Sequence, residues 1–282
     1  MIGGGQVGNA LIASAPESHQ VILCTRARLD LTDKERIAIV IKETQPDWVV
    51  NAAAYTAVDR AEDEPAQAAI VNDAAVEALA VAAAHEGCRL LHLSTDFVFD
   101  GKSNRAYLPE DVTHPLNVYG ATKLAGERHV LSSPSGVVLR TSWVYASTGK
   151  NFVLTMLRLM KEKEQIGVVF DQIGSPTWAS SVAMACWGFI DAAVPGGVYH
   201  WTDLGIASWY DFAVAIQDEA LSRGLLMRAA RILPISTEAY PTSAKRPSFS
   251  VLDTAAARAA IKTPARHWRH NLRAMMDEIR TA

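Results

Sequence analysis

The sequence predicts an α/β protein: a doubly wound parallel sheet followed by a smaller, mixed α+β part. Three observations carry that expectation. Short β-branched or apolar runs alternate with longer alanine-rich stretches through the first half of the chain. A glycine cluster stands at the start, directly before an apolar helical stretch. After about residue 150 the alternation loosens. Strand–helix alternation implies parallel strands, because a parallel pair needs a long crossover, usually a helix.

The first element is a fragment. A sheet of this kind has about five or six apolar residues ahead of its glycines, forming the central strand. Only Met1 and Ile2 stand there, so several further apolar residues are expected before Met1 in the natural protein. Helical spacing then covers residues 7–14, 33–44, 65–85 and 117–131, with strands between them at 21–24, 48–51, 89–94 and 136–140. Thr32, with Glu35 three residues on, reads as a capping box. Pro65 suits a first helical turn. Further on, helices are expected at 151–163, 178–193, 208–223 and 267–279, and strands at 167–170 and 198–201. Residues 234–247 contain prolines and read as loop. The whole is Rossmann-like over 1–150, with 151–282 mainly a second, substrate-binding part. No Gly/Ser linker separates the two, so the chain is expected to cross between them.

Composition sets the class. With 282 residues, 49% hydrophobic and 20% charged, the chain can bury one large core or two smaller ones. A net charge of −3 supplies no basic field for nucleic acid or an anionic membrane. The most apolar stretch, 66–84, is broken by Gln67, Asn72, Asp73 and Glu77, so no membrane span is expected. No signal-peptide pattern opens the chain. Cys24, Cys88 and Cys186 are scattered, which suits reduced thiols in a cytoplasm. There is no C-x-x-C, and His267 and His270 lack further ligands, so no metal site is expected.

Candidate site residues follow the strand ends. Gly3, Gly5 and Gly8 meet the spacing G-x-G-x-x-G, with Gly5, Gln6 and Val7 opening the helix. Such a turn lets a pyrophosphate reach the first helical amides; a glycine-rich turn with no ligand is the alternative. After the second strand come Thr25 and Arg26, where an acidic residue would select NAD. A cation and a hydroxyl suit a 2′-phosphate and hence NADP; solvated surface arginines are the alternative. Asp30 and Leu31 would lie beside the adenine, or Asp30 caps the next helix. Ala53, Ala54 and Tyr55 end the third strand with small residues, as a ligand crossing the sheet edge requires; packing under a helix is the other reading. Tyr119 and Lys123, four residues apart on one helix, share a face. A neighbouring ammonium lowers a phenol's pKa and makes proton exchange feasible. The spacing alone is weak, but Thr95 at the preceding strand end completes a three-residue proton-handling set.

These residues resemble the extended short-chain dehydrogenase/reductase superfamily and, within it, the dTDP-4-dehydrorhamnose reductase family. The blocks that carry the resemblance are Gly5 to Gly8, Asn51 to Glu62, Ser94 to Gly101, Tyr119 to Lys123, Arg140 to Tyr145, Asp171 to Thr177 and Arg246-Pro247. The resemblance implies reduction of the C4 ketone of dTDP-4-dehydro-L-rhamnose by NADP(H), with NAD(H) as the second choice, in the last step of making that sugar donor. It implies Tyr119 as proton donor, Lys123 as partner of the tyrosine and of the nicotinamide ribose, and Thr95 on the carbonyl oxygen. Thr95, Asp96 and Trp143 would meet the sugar. Arg246 would suit its diphosphate, with a structural ion pair as the alternative. The implied partner is a dTDP-sugar, and the resemblance admits a homodimer. Departures are Ile2 at the position of the family's first loop glycine, Phe97 for a frequent tyrosine, and Ala10 where some members have an acidic magnesium ligand. A metal-linked dimer is therefore not expected. The rival readings are an epimerase or dehydratase of the same fold, and a non-catalytic homologue that binds a partner protein.

Overall fold

The computed structural model describes residues 1–281; Ala282, the last residue of the expected second part, lies outside the described residues. In chain order the elements begin α1 (Gln6–Ala13), α2 (Lys34–Thr44), β1 (Trp48–Asn51), α3 (Val58–Asp63), α4 (Pro65–Ala69), α5 (Ala75–His85), β2 (Arg89–Thr95), α6 (Val118–Leu131), β3 (Val137–Thr141) and β4 (Val144–Tyr145). They continue α7 (Phe152–Glu162), β5 (Gln165–Val169), β6 (Ile173–Gly174), β7 (Thr177–Trp178), α8 (Ala179–Asp191), β8 (Gly197–His200), β9 (Ala207–Ser208), α9 (Trp209–Ser222), β10 (Arg231–Ile235), α10 (Ala255–Ile261) and α11 (Trp268–Thr281).

The main sheet runs β1-β2-β3-β8, all parallel. Beyond β1 the expected first two strands shrink to single bridges: Ile2 pairs with Asn51 on one side and Cys24 on the other. The strand expected at 21–24 is thus one bridging residue, because its neighbour offers only Ile2 and the residues beside it to pair with. The spatial order reverses at Ile2, which makes the ends of Ile2 and β1 the topological switch point where such sheets bind ligands.

Strand alternation explains the two faces. Val49, Leu90 and Val138 point to α2, α5 and α6, in a core with Ile37, Val76 and Leu79. Val50, Leu91, Val137 and Leu139 point the other way, against Leu11 of α1 and Val182, Cys186 and Phe189 of α8. Each large side chain so buried contributes roughly 1.5–3 kcal/mol. Residues after 151 therefore return to the first sheet, through α8 and β8. A separate core joins α7, α9, α11, β5 and β10 around Phe212, Trp268 and Met275.

Several local expectations change. Asp33, not Thr32, caps α2: its carboxylate accepts from the Arg36 amide at 2.9 Å. The expected helix 65–85 forms, but a π-helical turn at Ile70–Ala74 interrupts it. The turn carries Asn72, whose side chain accepts from the Tyr55 amide at 2.9 Å and donates to the Tyr55 carbonyl at 3.1 Å. By length and composition Pro65–His85 is long and apolar enough to cross a membrane, contrary to the expectation from its polar interruptions; here Ala68, Val76, Leu79 and Ala83 are buried in the protein core. The expected loop at 234–247 begins inside β10. Pro234 is tolerated there because β10 pairs with β5 alone among the described strands. Helices α3 and α10 were not expected.

Candidate active site

A cleft of about 1260 Å³ runs along the carboxyl ends of the strands, from Arg26 to Trp143. That exceeds the roughly 300–1,000 Å³ of a pocket for one drug-sized ligand, and so has room for two ligands. Gly5, Gln6, Val7, Arg26, Asp30, Leu31, Ala53, Ala54, Tyr55, Thr95, Asp96, Tyr119, Lys123 and Trp143 all line it.

At the glycine turn the backbone folds tightly. Gly3 has φ +111°, and a Cβ on Gly8 would stand 2.0 Å from the Gly3 carbonyl oxygen. These two positions demand glycine, whereas Gly5 faces open space. Gly5 is the N-cap of α1 and gives no side-chain cap, and the first turn carries no acidic residue. The leading amides of α1 are therefore available to an anion, helped by the positive end of the helix dipole. Uncapped amides, small residues at the end of β1 and the length of the cleft together fit a dinucleotide. The loop at 148–150, which sequence reasoning missed, also lines the cleft. Gln6 ties its flank down by accepting from Asn151 Nδ2 at 2.8 Å.

Farther out, Arg26 reaches Asp30 at 3.4 Å with its side chain 83% exposed. Asp30 accepts from the Thr32 amide at 3.0 Å and from the Thr32 hydroxyl at 2.9 Å. Those two bonds, more than Arg26, hold its carboxyl below the ordinary range. Asp30 thus shapes the loop ahead of α2 while lining the cleft.

The proton-handling set sits deeper. Thr95 ends β2, where its hydroxyl donates to Asp96 Oδ1 at 3.1 Å and accepts from the Phe97 amide at 3.2 Å. Asn117 caps α6 by accepting from the Gly120 amide at 2.7 Å, which fixes the first turn that carries Tyr119. Burial pushes the Tyr119 phenol up to about 12; Asp96 adds to the rise and the Thr95 hydroxyl opposes it. Burial also pushes Asp96 up to about 6 and lowers Lys123 to about 7. Lys123 Nζ is engaged at 2.6 Å with the Leu93 carbonyl and 3.0 Å with His92 Nε2.

Arg246 does not line the cleft: it makes a two-point pair with Asp59 at 2.8 and 3.1 Å, and Asp59 also accepts from the Ala244 amide. The structural ion pair is the reading that the geometry favours. Trp143 adopts φ +48° and stacks on Trp209 at 3.5 Å between centroids and 4° between planes. Its ring edge lies against Gly174, where a Cβ would come within 2.5 Å. Trp209 donates to Gln172 Oε1 at 3.2 Å, extending the support. Trp209 and Gln172 were missed because nothing in their local sequence marks a partner so distant along the chain.

Behind the cleft wall, Glu127 of α6 forms a buried pair with Arg140 of β3 at 2.6 and 2.9 Å, and Ser94 donates to the same carboxylate. The pair anchors the helix of Tyr119 and Lys123 to the sheet.

Known proteins bear on this geometry directly. A family model described as the RmlD substrate binding domain matches residues 1–281. The chain is 40% identical over 278 residues to a dTDP-4-dehydrorhamnose reductase of Aggregatibacter actinomycetemcomitans, covering 96% of this chain and 95% of that protein. A crystal structure of a dTDP-4-dehydrorhamnose reductase from Clostridium acetobutylicum superposes with a TM-score of 0.92 at 34% identity, over 99% of this chain and 98% of that one. The enzyme of that name from Bacillus anthracis, in complex with NADP, gives 0.91 at 34% identity over 98% of both chains. On a match that spans both cores and the cleft between the strand ends and Trp143, the chain belongs to the RmlD substrate-binding-domain family, that of the dTDP-4-dehydrorhamnose reductases.

Proposed function

We propose that the protein reduces the C4 ketone of dTDP-4-dehydro-L-rhamnose to the alcohol of dTDP-L-rhamnose, with NADP(H) as cofactor. One observation carries the reading: Thr95, Tyr119 and Lys123 line the same cleft as the uncapped glycine turn. When bound, the nicotinamide supplies a hydride to the ketone carbon. Everything else falls to the protein, which orients the ligands and moves the proton.

Tyr119 is the proton donor. A ketone oxygen that gains charge becomes a stronger base than a phenolate, so a phenol that holds its proton up to about 12 is an acid waiting for that base. Thr95 hydrogen-bonds the same oxygen. Lys123 holds the nicotinamide ribose. Asp96 and Trp143 meet the sugar, and Arg26 meets the 2′-phosphate. Gly5, Gln6 and Val7 take the pyrophosphate, Asp30 and Leu31 the adenine end, and Ala53, Ala54 and Tyr55 the dinucleotide's middle. The two cores then divide the work, the sheet core carrying the dinucleotide and the core around Phe212 the sugar nucleotide. The reading includes a cytoplasmic setting with no nucleic-acid or membrane partner.

The test is NADPH absorbance followed with dTDP-4-dehydrorhamnose and with other ketosugar nucleotides. Stoichiometric oxidation with the first is the expected result. Turnover with no net cofactor consumption would overturn it in favour of an epimerase.

A further inference from the structure

Lys123 is held by two residues outside the tyrosine–lysine motif. His92 is fully buried on β2, and Asn51 is its register partner at the end of β1, also fully buried. The Asn51 side-chain oxygen accepts from the Ala53 amide at 3.1 Å. That bond fixes which way the amide points, so its NH₂ group faces the imidazole, Nδ2 to Nδ1 at 3.0 Å. An NH₂ group donates and cannot accept. His92 Nδ1 is therefore the bare nitrogen, and the single proton of a neutral imidazole sits on Nε2. Nε2–H points at Lys123 Nζ, 3.0 Å away. Lys123 in turn donates to the Leu93 carbonyl at 2.6 Å. An ammonium has no lone pair with which to receive the Nε2 proton; an amine has one. The directed chain Asn51 → His92 → Lys123 → Leu93 closes only with Lys123 as the neutral amine.

We propose that Asn51 and His92 are positioning residues that seat Lys123 on β2 as an amine, and that Lys123 takes up its proton on leaving His92 for the ligand in the cleft. The role of that ammonium toward the cofactor rests on the function proposed above; the seated amine does not. Other groups around the seat do not reverse the polarity. Glu127, farther along α6, favours an ammonium, but Arg140 of β3 matches its charge at 2.6 Å. His200 of β8 adjoins that same arginine. Asp96 and Tyr119 stand at the cleft side of the set. Burial keeps His92 neutral, and burial likewise favours the amine at Lys123.

The decisive measurement is the ¹⁵N spectrum of the histidine rings in the free, wild-type protein, with His92 assigned by its loss in His92→Gln. A protonated Nε2 and a bare Nδ1 are expected; the opposite tautomer overturns the proposal. Asn51→Asp keeps an acceptor for the Ala53 amide but turns a second acceptor, in place of the NH₂ donor, toward Nδ1, so the tautomer should flip to put the proton on Nδ1. An unflipped ring also overturns it. In His92→Gln the new amide can rotate to offer its oxygen, so the ammonium becomes acceptable. The Lys123 titration midpoint, read from ¹³Cε-labelled lysine and assigned with Lys123→Met, should rise by about one unit. A midpoint that stays or falls overturns the proposal. A wild-type protein that fails to oxidise NADPH would defeat the reductase reading and leave the tautomer standing.

Discussion

At the deep end of the cleft Lys123 and Thr95 are 2% and 5% exposed, on a helix and at a strand end. At the outer end the Arg26 side chain is 83% exposed on an irregular loop. Both ends serve one ligand in the proposed function, yet they are held by different physics. Deep groups are fixed by backbone caps, a buried ion pair and packing, and their protonation is shifted by burial. Arg26 is held by one long contact to Asp30 in a medium that screens it. In the proposed function, chemistry is thus placed where geometry is rigid, and cofactor preference where a side chain can be exchanged cheaply.

The largest expected effect lies at the deep end. Tyr119→Phe should lower kcat by about 10²- to 10⁴-fold with the fold intact by circular dichroism; a wild-type rate would break the assignment of the proton donor. Next comes the anchor of that helix. Glu127→Ala leaves Arg140 buried and unpaired and should cost roughly 3–5 kcal/mol in urea unfolding. A loss below about 1 kcal/mol would mean that the deep end is not held by this pair.

Protonation offers a third test. Lys123 is lowered from 10.5 to about 7, so the unfolded chain binds the extra proton between those values. Stability from this group therefore rises as pH increases from about 7 to 10.5, by a few kcal/mol. In Lys123→Met that rise should vanish, as urea unfolding at pH 7 and pH 9.5 would report. A smaller change is expected at the sugar end of the cleft. Trp209→Ala removes the stacking partner of Trp143 and should raise KM for the sugar nucleotide about 3- to 10-fold, with kcat little altered. An equal fall in kcat would place Trp209 among the groups that act on the transition state. The smallest effect is at the outer end: Arg26→Ala should raise KM for NADPH a few-fold and leave that for NADH unchanged. A loss of 100-fold would show that exposure does not weaken this contact.

The parts of the fold readable in advance were those whose signal is local. Val49-Val50, Leu90-Leu91 and Val137-Val138 announce buried strands because both neighbours of each pair are apolar, one for each face of the sheet. Tyr119 and Lys123 announce a site because four residues fix their relation on one helix. Cys24 did not announce its fate, since a strand is only as long as its partner. Asn51 and His92 gave no signal either: they sit 41 residues apart and meet only through the register of β1 and β2. Arg246 was open to two readings because a guanidinium suits a diphosphate and an aspartate equally well, and only the fold brings Asp59 to it.

The single-residue seat of Ile2 has a consequence for local opening. Ile2 donates to the Val50 carbonyl and accepts from the Ala52 amide, while on the other flank the Gly3 amide reaches the Cys24 carbonyl, the Cys24 amide the Met1 carbonyl and the Met1 amino group the Ile22 carbonyl. Among the described residues, those few backbone bonds at the seat couple the segment around Cys24 to the main sheet. A fluctuation that lifts Ile2 therefore releases both flanks at once. In hydrogen exchange the amides of Ile2, Gly3 and Ala52 should lose protection together, as one small cooperative unit, ahead of those in β2 and β3. Because Gly3 also shapes the turn before α1, the same opening would disperse the amides of the glycine turn, so that a bound dinucleotide should slow exchange at the far side of Ile2 as well as within the cleft.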